Sequence, residues 1–159
     1  MNPKMYILSG CNGAGKTTAS QYLLPNIFNN SEFVNADIIA HEISPDNPDS
    51  AAIEAGRRML RRIDDLIDFR RNFTLETTLS TLYYRKIIEK AKDNGYEVTL
   101  MYFWLNSPLL AIECVAERVR RGEHNIPPDV IRRRYVRGIK NLFNIFIPIC
   151  DFWRIDDNS

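Results

Sequence analysis

Gly10-Cys11-Asn12-Gly13-Ala14-Gly15-Lys16-Thr17 follows directly on the apolar run Met5-Tyr6-Ile7-Leu8 and opens the segment 17–24. It fits the Walker A spacing G-x-x-x-x-G-K-[ST], whose confirming context is a strand ahead of the turn and a helix behind it. A triphosphate chain must lie against bare backbone N–H groups, so Gly10, Gly13 and Gly15 clear side chains from its path, while Cys11, Asn12 and Ala14 offer their amides. Lys16 places a point charge on the β- and γ-phosphates, and the Thr17 hydroxyl is the candidate Mg²⁺ ligand. Thr17 and Thr18 open a helix whose free N–H groups and dipole favour an anion. Cys11 serves here through its backbone, with no redox role.

At 159 residues with 45% hydrophobic content, one domain with a real core is expected, spanning 1–159. The formal charge of +1 argues against a nucleic-acid binder that works through overall positive charge. The basic residues are nonetheless uneven. Arg118, Arg120, Arg121, Arg132, Arg133, Arg134, Arg137 and Lys140 crowd residues 118–140. Cys11, Cys114 and Cys150 are odd in number and lack metal-ligand spacing, so free thiols are the reading. With no signal segment and no apolar run near membrane length, a cytoplasmic protein is expected.

Along the chain, the helix from Lys16 is predicted to end near Leu24, ahead of Pro25. Residues 26–31 read as a polar turn, 32–35 as a second strand, and Ser50 as the cap of an amphipathic helix carrying Ile53, Leu60, Ile63, Leu66 and Ile67. Residues 73–75 form a third strand with Glu76-Thr77-Thr78-Leu79-Ser80 past its end. A helix over 84–94 closes at Gly95, and 98–105, the longest apolar run, reads as a buried central strand. Helices follow from Pro108 to about Arg121 and from Pro127-Pro128-Asp129 to before Pro148, then a last strand over 152–155. Alternating strands and helices imply a parallel α/β sandwich, with a strand order that the alternation leaves open.

Phosphoryl transfer needs a cradle, a divalent cation, positive charge on the migrating group and an orienter for the attacking hydroxyl. Asp37, past strand two, suits proton acceptance from an acceptor hydroxyl, or else the N-cap of the following helix. Glu76 suits the acceptor, or Mg²⁺ through water, or else a solvated strand end. Thr77, Thr78 and Ser80 are hydroxyls at the same edge. Residues 118–134 resemble a helix-turn-helix lid whose arginines close on the γ-phosphate and exclude water, or else a solvated basic face.

Together these segments resemble the zeta-toxin family of P-loop kinases nearly end to end: the loop at 10–17, Asn35-Ala36-Asp37, Glu76 to Ser80, His124-Asn125-Ile126-Pro127, Ile131-Arg132-Arg133-Arg134-Tyr135 and Asp157-Asn158-Ser159. The resemblance implies a three-layer sandwich with five parallel strands and a small helical lid, and ATP or GTP with Mg²⁺ as donor. It implies phosphorylation of a hydroxyl on a small acceptor, a UDP-N-acetyl sugar in the longer toxins. Asp37 matches the base, Glu76 and Thr78 the acceptor contacts, and Arg118, Arg121 and Arg134 the phosphate-contacting arginines. It further implies an antitoxin partner. Family members tend to carry glycine where Glu123 stands, and an acid there is expected to weaken phosphate attraction. The chain is also shorter than the full toxins, in which a further segment is expected to help hold the adenine, so the resemblance leaves base preference and nucleotide affinity open.

Two other readings compete. One is a nucleotide-binding regulatory ATPase module acting with a protein partner; the other, suggested by the arginines, is a nucleic-acid end kinase, whose binding must weaken steeply with salt.

Overall fold

Period-two alternation in the first strand sets the layers. In the computed structural model, which describes residues 1–28 and 32–159, β1 (Lys4–Gly10) turns Met5 and Ile7 to one face and Tyr6 and Leu8 to the other. Met5 and Ile7 join Phe73, Leu75, Val98 and Leu100 under Ile63, Leu66, Ile67 and Ile88. Tyr6 and Leu8 pack with Leu23 and Phe28, the Tyr6 and Phe28 rings stacked 4.3 Å apart. A strand covered on both faces must be apolar at every position, as this one nearly is.

The sheet is five-stranded and parallel, in the order β2-β3-β1-β4-β5. The other strands are β2 (Glu32–Val34), β3 (Phe73–Thr77), β4 (Glu97–Trp104) and β5 (Phe152–Asp157). Parallel pairing demands crossovers, which are supplied by α1 (Lys16–Asn26), α2 (Ala36–Ile43), α3 (Ala52–Asp68), α4 (Tyr83–Asp93), α5 (Pro108–Arg120) and α6 (Pro128–Asn141). Because β1 lies between β3 and β4, the loop after it emerges mid-sheet, at the carboxyl edge where open α/β sheets bind ligands. Leu8 pairs with Glu76 and Val34 with Leu75, so Asn35, Glu76 and the phosphate loop arrive on one edge.

Several boundaries differ from expectation. Helix α1 runs through Pro25 to Asn26: a proline in the last turn forfeits one bond, and the Asn26 amide donates to the Tyr22 carbonyl (2.8 Å) beside it. Ser50 does not cap α3. It lies in a 3₁₀ turn, Pro48–Ala51, and Ala51 occupies the cap. Helix α6 passes into a π-helical turn, Leu142–Phe146, and a short α turn, Ile147–Ile149, that contains Pro148. Proline is accepted there because the first turn of a new helix does not need its N–H. Strand β3 extends to Thr77, placing Glu76 and Thr77 inside the strand rather than past it. The predicted polar turn at 26–31 falls partly on residues 29–31, outside the described residues.

Candidate active site

The loop between β1 and α1 is shaped by three glycines that nothing larger can replace. Gly10, Gly13 and Gly15 have φ of +147°, +84° and +88°, in the region that L side chains rarely adopt. A Cβ on Gly10 would lie 2.6 Å from the Phe103 carbonyl, and one on Gly13 2.9 Å from that of Ala111. The loop is therefore pressed against β4 and α5 on its protein side, and its other side is left to a ligand. Ala14 and Cys11 are buried beneath it, and burial pushes the Cys11 thiol up to about 11, which keeps it neutral and supports its role as backbone.

Lys16 is buried, and its Nζ donates to the Gly10 and Cys11 carbonyls at 2.8 and 3.0 Å. Burial holds its ammonium below the ordinary lysine value, with Glu76, Cys11 and Asp37 pulling it back up and Arg118 pushing it down. A desolvated cation held by two carbonyls of its own loop has the chemistry to take anionic oxygens in their place. Thr17 and Thr18 are exposed at the head of α1. Beside them a groove of about 340 Å³ runs between the loop and α5, lined by Gly13, Gly15, Thr17, Thr18, Cys114 and Arg118 among others.

Opposite the loop, Asn35 organises the two acids. Its Oδ1 accepts from the backbone N–H groups of Asp37 and Ile38, capping α2, and its Nδ2 donates to Glu76 Oε2 at 2.9 Å. The helix cap is thus Asn35 and not Asp37, whose carboxylate is left exposed in the first turn of α2. Burial raises the Glu76 carboxyl above its ordinary value, against the pull of Lys16 and Asn35. Lys16 and Glu76 act on each other across this edge, and Asp37 and Arg118 act on both.

The hydroxyls divide. Thr77 is buried, its Oγ1 accepting from the Leu79 N–H (3.0 Å) and its side chain bonded to Tyr84, so it builds the turn. Thr78 Oγ1 lies 2.9 Å from Ser80 Oγ, both half-buried. Between them Leu79 is held at φ +60°, a strained state for leucine that its surroundings enforce. The Asn141 amide donates to the Leu79 carbonyl at 2.8 Å, and Gly138 lets α6 pass so close to Thr78 that a Cβ there would sit 2.6 Å from its carbonyl oxygen.

The arginines divide too. Arg134 reaches Asn12 of the loop, Nη1 to Oδ1 at 3.4 Å. Arg118 lines the groove and pairs with Glu123 at 3.6 Å. Arg121 pairs instead with Glu117 (3.3 Å), its side chain about three-quarters exposed. Helix α6 is firmly seated, Ile131 and Tyr135 being buried and the Tyr135 hydroxyl donating to the Leu105 carbonyl at 2.6 Å. The turn between α5 and α6 reaches across the edge, where His124 Nε2 lies 3.1 Å from Asp49 Oδ1. Asn35, Gly138 and Asn141 were given no role from sequence. A cap signal was visible at Asn35, but the other two act over distances in sequence that no local pattern carries.

A Walker-type loop opening the first helix of a five-stranded parallel sheet is common to P-loop nucleotide-binding proteins, and the family match makes this one a P-loop kinase. Within that class the chain belongs to the zeta toxin family, whose model matches residues 1–143. A protein of Haemophilus influenzae is 31% identical over 135 residues, covering 85% of this chain and 94% of that one. Among solved structures, one from the PezAT chromosomal toxin–antitoxin system of Streptococcus pneumoniae superposes with a TM-score of 0.74 at 22% identity, over 99% of this chain and 70% of that chain. The AvrRxo1-ORF1:AvrRxo1-ORF2 complex with ATP gives a TM-score of 0.75 at 17% identity, over 99% of this chain and 55% of the other. No helix among the described residues is long and apolar enough to cross a membrane.

Proposed function

We propose that the protein transfers the γ-phosphate of ATP or GTP to a hydroxyl of a small acceptor, with a UDP-N-acetyl sugar as the candidate. The observation that carries the reading is the shared edge: Lys16 on the donor side, and Asp37 and Glu76, joined through Asn35, on the acceptor side. The loop amides from Gly10 to Thr18 and Lys16 hold the phosphates, and the groove beside Thr18 and Arg118 takes the nucleoside. Asp37, exposed and free of the cap, takes the proton of the acceptor hydroxyl, while Glu76, Thr78 and the turn built by Thr77 orient the acceptor. Arg118 and Arg134 offset charge on the migrating group. Arg121 joins them if the segment 118–134 closes as a lid.

The donor set also fits Mg²⁺. Among the described residues no group of three or more His, Cys, Asp or Glu side chains is placed to hold a metal ion. Mg²⁺ at phosphate sites takes one or two protein oxygens and completes its shell with phosphates and water. The Thr17 hydroxyl would hold it, and the ion would neutralise charge between the β- and γ-phosphates. A protein antitoxin is the proposed partner, as in the toxin–antitoxin system whose structure this chain resembles.

The test is to incubate the protein with labelled ATP, Mg²⁺ and either UDP-N-acetylglucosamine or a metabolite extract. Label on a small molecule is expected. Asp37→Asn should keep ATP affinity within about threefold while lowering turnover by about two orders of magnitude, as loss of a general base does. Equal turnover in that variant rejects the base.

A further inference from the structure

We propose that Asn158, beyond the end of β5, is a positioning residue for the phosphate loop, holding the Ala14 carbonyl turned away from the ligand. The inference rests on the nucleotide-binding reading above and adds to the site a residue 144 positions away in sequence.

Ala14 stands between two left-handed glycines, Gly13 at φ +84° and Gly15 at φ +88°. That backbone gathers successive N–H groups on one side, which makes an anion-binding concavity, and turns the intervening carbonyl to the other. The arrangement works while the carbonyl stays there. A peptide that flips presents a lone pair to the phosphates and withdraws the Gly15 N–H. The Ala14 N–H is already tied to the Cys11 carbonyl at 3.1 Å. Its carbonyl is tied by the Asn158 side chain, Nδ2 donating to the oxygen at 2.7 Å. The donor is neutral, so it fixes the peptide without adding charge to a site whose charges are already set by Lys16, Glu76 and Arg118.

Asn158 is itself held. Its backbone N–H donates to the Trp104 carbonyl at 2.8 Å, one step past the Trp104–Asp157 pair that ends the β4–β5 ladder. Ser159 Oγ accepts from the Asn106 N–H at 2.9 Å, and Asp157 Oδ1 accepts from the Ser159 N–H at 3.0 Å. The side chain is thus delivered by sheet registry. It also crowds Gly15, where a Cβ would lie 2.7 Å from Asn158 Nδ2. Gly15, the N-cap of α1, has no side chain with which to cap the helix, and its carbonyl accepts the first helical bond from the Ala19 N–H at 3.0 Å.

The experiment uses the full chain with ADP and ATP as probes. Affinity is read by calorimetry, and thermal unfolding of the unliganded protein is followed alongside. Asn158→Ala should weaken both nucleotides about fivefold, the worth of one hydrogen bond. Asn158→Asp, which points a carboxylate at the carbonyl, should weaken them further. Ser159→Ala, which loosens the tail but spares the strut, should stay within twofold of the parent. The apo unfolding midpoint of Asn158→Ala should match that of Ser159→Ala, because the ladder bond from the Asn158 backbone survives. Unchanged nucleotide affinity in Asn158→Ala overturns the inference, as does an equal loss in Ser159→Ala, which would make the effect one of tail anchoring. A parent protein that binds neither nucleotide defeats the cradle reading itself, and this inference with it.

Discussion

Asn35 donates to Glu76 at 2.9 Å with the same side chain whose oxygen starts α2, so the helix that carries Asp37 and the strand that carries Glu76 are fastened by one amide. Asn35→Ala removes both functions at once. Loss of the cap should cost about 1 kcal/mol of stability, read by chemical denaturation. Turnover should fall at least tenfold because Asp37 loses its fixed entry angle and Glu76 its orientation, while ATP affinity stays within twofold. An equal loss of ATP affinity would mean that Asn35 supports the whole edge and not the acceptor side.

Helix α6 touches both halves of the site, with Arg134 at the phosphate loop and Gly138 and Asn141 at the Thr78–Leu79 turn. Replacing an interior helical glycine by alanine ordinarily stabilises, by about 0.5–1 kcal/mol. Here the added methyl would stand 2.6 Å from the Thr78 carbonyl, and backbone on both sides cannot yield cheaply. Gly138→Ala should therefore destabilise by about 1–3 kcal/mol, the usual cost of overpacking. It should also raise the KM for acceptor more than that for ATP. A variant more stable than the parent would show that the turn gives way.

The fold and the placement of the phosphate loop were legible because their chemistry is local. Eight consecutive residues specify the loop, and the alternation of strands and helices specifies the sandwich. Asp37 and Glu76 could be placed at the right edge from strand ends alone, although Glu76 proved to lie inside β3. What sequence did not show is how distant segments brace one another: Asn158 on Ala14, Asn141 on Leu79, and Arg134 on Asn12. Each depends on sheet order and helix approach, which no short pattern carries. The helix ends also differ from the expected ones because proline is tolerated in the last turn of α1, at Pro25, and in the first turn of a new helix, at Pro148. At Asp37 a better cap two residues earlier took the role.

Glu123 gives a third prediction. Its carboxylate pairs with Arg118 at 3.6 Å, both side chains at least a third exposed, so the pair is worth well under 1 kcal/mol in salt. It nonetheless holds part of the charge of Arg118, which lines the groove. Glu123→Gly should tighten ATP binding about two- to threefold at low ionic strength, and the gain should shrink as salt screens the pair. A gain that is independent of salt would point to turn flexibility at Gly122 instead.

The last prediction follows from the carboxyl of Glu76, which burial holds above its ordinary value. A carboxyl that binds its proton more tightly in the folded chain than in the unfolded one favours folding most when it is neutral. That contribution is complete below the unfolded value near 4.5 and is lost as pH rises through the folded value. In its charged form Glu76 is thus a net cost to stability, a cost that the proposed role toward the acceptor would account for. Glu76→Gln keeps an acceptor for Asn35 and removes the desolvated charge. Its unfolding midpoint should exceed that of the parent at pH 8, and the two should converge toward pH 4, while phosphoryl transfer at pH 8 falls by tenfold or more. A variant less stable than the parent at pH 8 would mean that the attraction between Glu76 and Lys16 outweighs the burial of the carboxylate.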